Sequence, residues 1–420
     1  MRRWITIAVA MAVGMSLTAV AQAHHRSQEP FAPSMISTTH ATDAIHAKPP
    51  TWGLSGRPGY WDIAFSPDGT LYSVDGANNR VYKVTSKGPQ GQTKVIAGAG
   101  PGLPRNPPYQ HFELIHNYGW IPVGAYGGDG QRGTDALFSA PLDLTFDAAG
   151  NMFIADHLNS RIRELSTGGF VSTVAGTGWG GTNWGVHTPG VGPAAGDGNL
   201  ATHSVLEEPQ GVAFDSHGNL YIADRDHDAI RKVDTNGIIT TVAGTGIRGF
   251  SGDGGLATQA KIARPLYVTF DAANNMYIAD ENNHRIRRVD HTTGVITTVV
   301  GNGDNGCGGD GGPAVDASIR DPNKIAFEPD GTMLVNDNEC HNLRAIAPDG
   351  TITTLAQQRK HHPCRNVIGT DVSHMPEGAF TIGPDGELYV SACNRIIRVD
   401  HNGITHLFAR APSFSDLPKP

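Results

Sequence analysis

The sequence predicts an all-β protein, a six-bladed β-propeller of four-stranded antiparallel blades, and three observations predict it. First, 53 of 420 residues are glycine, while 39% are hydrophobic and 17% charged. That is the composition of many turns joining short strands, not of a coiled coil or a charge-driven disordered chain. Second, one phrase returns six times along the chain. Third, the joints between phrases are themselves repeated, most of them at constant length.

The phrases are FSPDGTLYSVDGANNRVYKV from Phe65, FDAAGNMFIADHLNSRIREL from Phe146, FDSHGNLYIADRDHDAIRKV from Phe214, FDAANNMYIADENNHRIRRV from Phe270, FEPDGTMLVNDNECHNLRAI from Phe327 and IGPDGELYVSACNRIIRV from Ile382. Each unit has an apolar strand ending in Phe or Ile, a turn rich in Gly and Asp, a Leu-Tyr-Ile-Ala-Asp-like strand, a short loop and an Arg-Ile-Arg-Lys-Val-like strand. An Ile-Thr-Thr-Val-Ala-Gly-like strand usually closes it. A four-stranded sheet that is apolar on both faces must stack on copies of itself, and six such units close in a ring. The last unit carries its own outer strand, Ile404 to Phe408, so no N-terminal strand is needed to complete a blade.

Before the ring, Arg2 and Arg3 precede an apolar stretch from Ile5 to Val20, and Ala21-Gln22-Ala23 supplies small residues. Residues 1–23 therefore read as a signal peptide, cleaved before His24. Residues 24–58 read as a segment that is poorly ordered or lies against the ring, 59–409 as the propeller and 410–420 as a C-terminal tail. No later stretch approaches the roughly 18 apolar residues of a membrane span. The expected location is the periplasm or the exterior. Lys+Arg 32 against Asp+Glu 40 gives a formal charge of -8, which argues against a nucleic-acid partner, because phosphates demand a basic face.

At the joints, Asp129, Asp197, Asp253 and Asp310 each sit in a G-D-G triplet and are followed twelve residues later by Pro141, Pro209, Pro265 and Pro322. Between them stand a small residue (Ala136, Ser204, Ala260, Ala317) and an apolar one (Phe138, Leu206, Ile262, Ile319), which predicts one packed turn. The first and sixth units lack the triplet. Asp between glycines closes a turn on its own backbone or binds calcium, although no second carboxylate stands at ligand spacing. The phrases resemble NHL repeats over roughly residues 59 to 409, and the G-D-G-G-x-A linker is similar to that of secreted bacterial NHL proteins and the teneurin NHL domain.

Export would place Cys307, Cys340, Cys364 and Cys393 where disulfides persist. They occupy nearly equivalent places in units five and six, which pairs Cys307 with Cys340 and Cys364 with Cys393. The Asp ending strand two (Asp75, Asp156, Asp224, Asp280, Asp337) and the Arg five residues on (Arg80, Arg161, Arg285) recur with the repeat. They read as framework ion pairs, because a catalytic group is needed once.

Chemistry is expected on the top face, where the openings of first strands and the loops between strands two and three emerge. Two insertions, from Gly100 and from Trp179, gather aromatic and imidazole side chains there, among them Tyr109, Trp120, Trp179, Trp184 and His187, with Trp61 beside them. They either stack on a small molecule, glycan or peptide or pack on each other as a cap. Tyr267 and Lys324 at the channel mouth complete the candidate ligand contacts. Asp62, Asp143, Asn323 and Glu377 offer oxygen ligands to a cation, or else hydrogen-bond strand ends.

The resemblance also carries enzymes. An NHL lyase acting on peptidyl hydroxyglycine places zinc-binding histidines just after the strand openings, where this chain has Leu142, Gln210, Leu266 and Asn323. Gluconolactonase-like propellers hold a divalent cation there with Glu, Asn and Asp, types that Asn323 and Glu377 match on neighbouring blades. His157, His227, His284 and His341, in the loops after strand two, are the candidate bases or zinc ligands, or else solvated loop residues. The leading expectation is a ligand-binding or scaffold protein. The alternative is a metal-dependent lyase or lactonase-type hydrolase using Ca or Zn.

Overall fold

The computed structural model describes residues 62–76, 78–85, 93–99, 112–115, 119–122, 126–178, 196–357, 379–392, 395–400 and 404–410. Blade one is β1 (Asp62–Phe65), β2 (Leu71–Asp75), β3 (Arg80–Val84) and β4 (Thr93–Ala97). A hairpin, β5 (Phe112–Ile115) and β6 (Gly119–Pro122), stands in the insertion that follows. Blade two is β7 (Pro141–Phe146), β8 (Met152–Asp156), β9 (Arg161–Leu165) and β10 (Val171–Ala175), and blade three is β11 (Pro209–Phe214), β12 (Leu220–Asp224), β13 (Ala229–Val233) and β14 (Ile239–Ala243). Blade four is β15 (Pro265–Phe270), β16 (Met276–Asp280), β17 (Arg285–Val289) and β18 (Ile296–Val300). Blade five is β19 (Pro322–Phe327), β20 (Met333–Asp337), β21 (Asn342–Ile346) and β22 (Ile352–Gln357). Blade six is β23 (Phe380–Ile382), β24 (Leu388–Ala392), β25 (Arg395–Val399) and β26 (Thr405–Arg410).

All six sheets are antiparallel and take their four strands in sequence order, so no blade borrows a strand from elsewhere. First strands of successive blades lie side by side, and β23 returns to β1. The ring is thereby closed. Among the described residues no helix is long and apolar enough to cross a membrane.

The core lies between blades, in six clusters that each draw on two neighbours. One contact recurs at these joints: the second residue of a blade's second strand meets the Phe ending the next blade's first strand. The pairs are Tyr72–Phe146, Phe153–Phe214, Tyr221–Phe270 and Tyr277–Phe327, with centroids 4.7 to 5.2 Å apart. Tyr389 of blade six repeats it on Phe65 of blade one at 4.9 Å, edge to face, the arrangement that the ring quadrupoles favour. At the joint of blades five and six both partners change together, and Leu334 packs in one cluster with Ile382.

The packed turn of the linker follows from its small residues. Gly128 and Gly252 hold φ of +93° and +90°, and a Cβ on either would lie 2.5 or 2.6 Å from the Cα of Ala136 or Ala260. Glycine is required twice over there, for its left-handed backbone and for the close approach. Phe138, Leu206, Ile262 and Ile319 are buried, as their spacing predicts.

The G-D-G aspartate holds an arginine. Arg163, Arg231, Arg287 and Arg344 are fully buried, and each forks between two carboxylates. Arg287 places Nη2 at 2.6 Å from Asp253 Oδ1 and Nη1 at 3.2 Å from Asp280 Oδ2. The same fork joins Arg163 to Asp129 and Asp156, Arg231 to Asp197 and Asp224, and Arg344 to Asp310 and Asp337. In blades two to five the strand-two aspartate thus pairs with the Arg seven residues on. Arg161 and Arg285 instead donate to the carbonyls of Thr177 and Asn302 and lie over the rings of Tyr126 and Phe250 at 3.6 and 3.8 Å.

Cys307 holds the linker place of Tyr126 and Phe250, and in blade five Asn342 replaces the stacking arginine. There the linker is fastened by the disulfide Cys307–Cys340, with Cα atoms 5.6 Å apart. Cys364 and Cys393 lie outside the described residues.

Candidate functional site at the channel mouth

Aligned on the residue that ends each first strand, one position per blade lines the channel: Asp62, Asp143, Gly211, Tyr267, Lys324 and Ala379. First strands pair with second strands so that Pro141 faces Asp156, Pro209 faces Asp224, Pro265 faces Asp280 and Pro322 faces Asp337. Strand openings and strand-two loops therefore share one end of the ring, the top.

Three of the six positions carry charge, and they converge. Lys324 of blade five reaches across the channel to place Nζ 2.5 Å from Asp62 Oδ1 in blade one and 3.4 Å from Asp143 Oδ1 in blade two. Tyr267 of blade four lies beside them, its ring centroid 4.4 Å from the ammonium. Blades three and six contribute Gly211 and Ala379, which leave the lysine stem its room. Asp143 Oδ2 accepts from the Val212 N–H at 2.7 Å, tying blade two to blade three.

The cluster is almost dry: side-chain exposure is 3% for Asp62, 6% for Asp143 and 10% for Lys324. Burial pushes the Asp62 carboxyl well above the usual carboxylate range; Lys324 pulls it down, but the neighbouring Asp143 adds to the rise. Burial works against the charge on Lys324, yet Asp62, Tyr267 and Asp143 together hold its ammonium well above the ordinary value. The Tyr267 phenol is pushed up by burial as well.

Of the proposed oxygen ligands, Asp62 and Asp143 thus meet around an ammonium. Asn323 stands one residue before Lys324, where its Oδ1 accepts from Asn336 Nδ2 at 2.8 Å. Glu377 lies outside the described residues, as do Trp61, Tyr109, Trp179, Trp184 and His187. Trp120 falls on β6, of which only the backbone is described. Among the described residues no group of three or more His, Cys, Asp and Glu is placed to hold a metal ion.

The four histidines do not converge, because they occupy three different registers of the loop. His157, first after its strand, is buried with Nδ1 3.3 Å from the Pro209 carbonyl of the next blade and Nε2 3.8 Å from Glu208. Burial, with the Arg225 guanidinium, drives its imidazole down to about 3. His227 holds the place of Asn159 and Asn283 and does their work, binding the strand-two carboxylate of Asp224 at 2.8 Å. Burial opposes its charge, but Asp224 and then Glu207 prevail and raise it.

His284 and His341 are left-handed residues that cap the loop, at φ 52° and 55°. At that register Asn79, Asp228 and His284 each accept the N–H of the next blade's linker, from Ala140, Arg264 and Asp321. These are joints between blades.

Sequence reasoning missed a second polar grouping on the top of blades two to four. Arg225 binds Glu208 at 2.6 Å, and Asp226 binds Arg264 at 3.1 Å. Burial, together with Asp226, lifts Glu208 to about 7. Its signal was the change from Ala140 to Glu208, Arg264 and Asp321 at a single repeat position.

A teneurin NHL domain family profile matches residues 183–250. Teneurin-3 of Danio rerio is 26% identical over 242 residues, 49% of this chain and 8% of its own. NHL repeat-containing protein 2 of Bos taurus is 28% identical over 150 residues, 33% of this chain and 20% of its own. This chain therefore spans a minor part of the curated relatives it matches. Among solved structures, an auxiliary nutrient binding protein from Bacteroides ovatus superposes with a TM-score of 0.50 at 14% identity, covering 85% of this chain and 70% of that one. With six blades of four antiparallel strands, a linker repeated at fixed length and these relatives, the chain is a six-bladed β-propeller whose repeats are similar to those of NHL-repeat proteins.

Proposed function

We propose that the chain is a ligand-binding or scaffold protein of the periplasm or exterior that takes a small molecule, glycan or peptide on its top face. The observation that carries this reading is the lysine in the channel. A cation bound at the mouth polarises a carbonyl or activates water through oxygen ligands left open to it, and here Asp62 and Asp143 are already engaged by Lys324. With the channel spanned at that level, a ligand is met by the loops above it, where the aromatic insertions enter the sequence.

The test is elemental analysis of the purified chain, handled without histidine tag or chelator, followed by titration of glycans, peptides and aromatic acids against tryptophan fluorescence. Metal at background and saturable quenching support the binding reading. About one calcium or zinc per chain, lost on substituting Asn323 or Glu377, overturns it in favour of a metal-dependent lyase or lactonase-type hydrolase.

A further inference from the structure

Asp62 is 2% exposed, and one of its two carboxylate oxygens has no hydrogen-bond partner among the described residues. Its Oδ1 accepts from Lys324, while Oδ2 is buried without a donor among the described residues. A buried acceptor left unmade costs about 1–3 kcal/mol, and more when it carries charge. Asp143, the neighbouring carboxyl, has both oxygens occupied as acceptors, Oδ1 by Lys324 and Oδ2 by the Val212 N–H. Two carboxylates facing one ammonium in a dry channel leave one negative charge unmatched.

A single proton resolves the orphan oxygen and the charge together. We propose that the channel holds one trapped proton, carried on Asp62 Oδ2 and donated to the Asp143 carboxylate, and that this proton lets Lys324 span the ring. Asp62 is then the neutral member, Asp143 the anion and Lys324 the cation, and the cluster carries no net charge. The rise of the Asp62 carboxyl above its ordinary range agrees with this assignment.

Among the described residues, the elements packed around β1 add no other charge to Asp62. Lys324 comes from β19, Asp143 from β7 and Tyr267 from β15, while β11 and β23 bring Gly211 and Ala379 to the same level. Asp75 on β2 is engaged by the backbone and side chain of Asn78, at 3.1 and 2.7 Å. Between the ordinary carboxylate value and the raised one, the folded chain holds a proton that the unfolded chain has released. Stability from this group therefore falls as pH rises through that window.

The proposal separates two substitutions that a plain ion pair would not. Asp62→Asn keeps an acceptor for Lys324 and puts an N–H where the proton sits, so it imitates the neutral acid. Asp143→Asn places an NH2 group against one of three donors, Lys324, the Val212 N–H and the Asp62 proton, and removes the anion of the described cluster. On the full chain, the unfolding constant in denaturant is expected to change by less than about tenfold in Asp62→Asn, and to rise by about a hundredfold or more in Asp143→Asn and in Lys324→Met.

Isotope-edited infrared spectroscopy of the wild type, with labelled aspartate, reads the proton directly. At neutral pH a protonated-carboxyl C=O stretch is expected, and it is absent in Asp62→Asn. The wild type's loss of stability with rising pH, up to about tenfold in the unfolding constant per pH unit, is expected to flatten in that variant. Absence of the band in the wild type, or equal destabilisation by Asp62→Asn and Asp143→Asn, overturns the proposal, and the infrared reading stands even where Asp143→Asn fails to fold.

Discussion

His157 is neutral in the folded chain because burial and the Arg225 guanidinium drive its imidazole down to about 3. Between that value and the ordinary 6.5 the unfolded chain takes up a proton that the folded chain refuses, so stability rises with pH across this window and falls on acidification. Its share is about 1.4 kcal/mol per pH unit. His157→Asn retains a donor for the Pro209 carbonyl and cannot titrate. Denaturant melts at several pH values between about 3 and 6.5 are expected to show a shallower acid slope in that variant.

His227, raised by Asp224, contributes with the opposite sign: its stability is present below 6.5 and lost as pH rises through its folded value. Residue type was legible in the sequence here, but role was not. One imidazole stands in for an asparagine, another caps a left-handed turn, and only the register within the loop tells them apart.

At the scale of the element, the linker and its own blade form one unit held by the buried arginine. Substituting Arg287 by Met leaves Asp253 and Asp280 facing each other's charge without the guanidinium, at a cost of about 3–5 kcal/mol. Arg287→Lys is expected to recover little, since one ammonium cannot fork between two carboxylates. Hydrogen exchange over residues 250–262 and chemical denaturation check both variants.

This fork was hidden in the sequence behind the arginine two residues earlier, which repeats more visibly. It could have been found by noticing that Tyr82 and Ile397 replace it in the two units that lack the G-D-G triplet.

The disulfide makes a second prediction at this scale. Removing the Cys307–Cys340 bond, 33 residues apart, costs about 3–4 kcal/mol by loop entropy. The triple change Cys307→Phe, Cys340→Asn and Asn342→Arg rebuilds the fastening of blade four, where Phe250, Asn283 and Arg285 stand at those places. It is expected to regain part of the loss in a thermal melt under reducing conditions, where the wild-type bond gives no help.

For the whole molecule, the number of blades and the order of strands were legible because a repeat states its own architecture six times. What the sequence could not state is which side chains meet across the channel. Lys324 and Asp62 are 262 residues apart, on blades that are not neighbours in the ring, and their encounter exists only once the ring has closed. The aromatic insertions, which carried the sequence-level case for a ligand site, fall largely on residues outside the described set.

Closure itself is testable at the sixth joint. Tyr389, packed between Phe65 and Phe408 at 4.9 Å each, is expected on truncation to Ala to cost about 3–5 kcal/mol. Hydrogen exchange is then expected to speed up in β1 and in β23–β26 together. Tyr277→Ala, at an internal joint, is expected to disturb only blades four and five.

Because no strand is shared between the first and last blades, five of the six joints are backed by a peptide linker and one is not. Mechanically the ring is a split washer. Among the described residues the split is held by side-chain contacts, so tension applied across it peels them in sequence instead of shearing a row of backbone hydrogen bonds. A pulling experiment from the termini is expected to open that seam at low force before any blade unravels, leaving a five-jointed arc that can reclose.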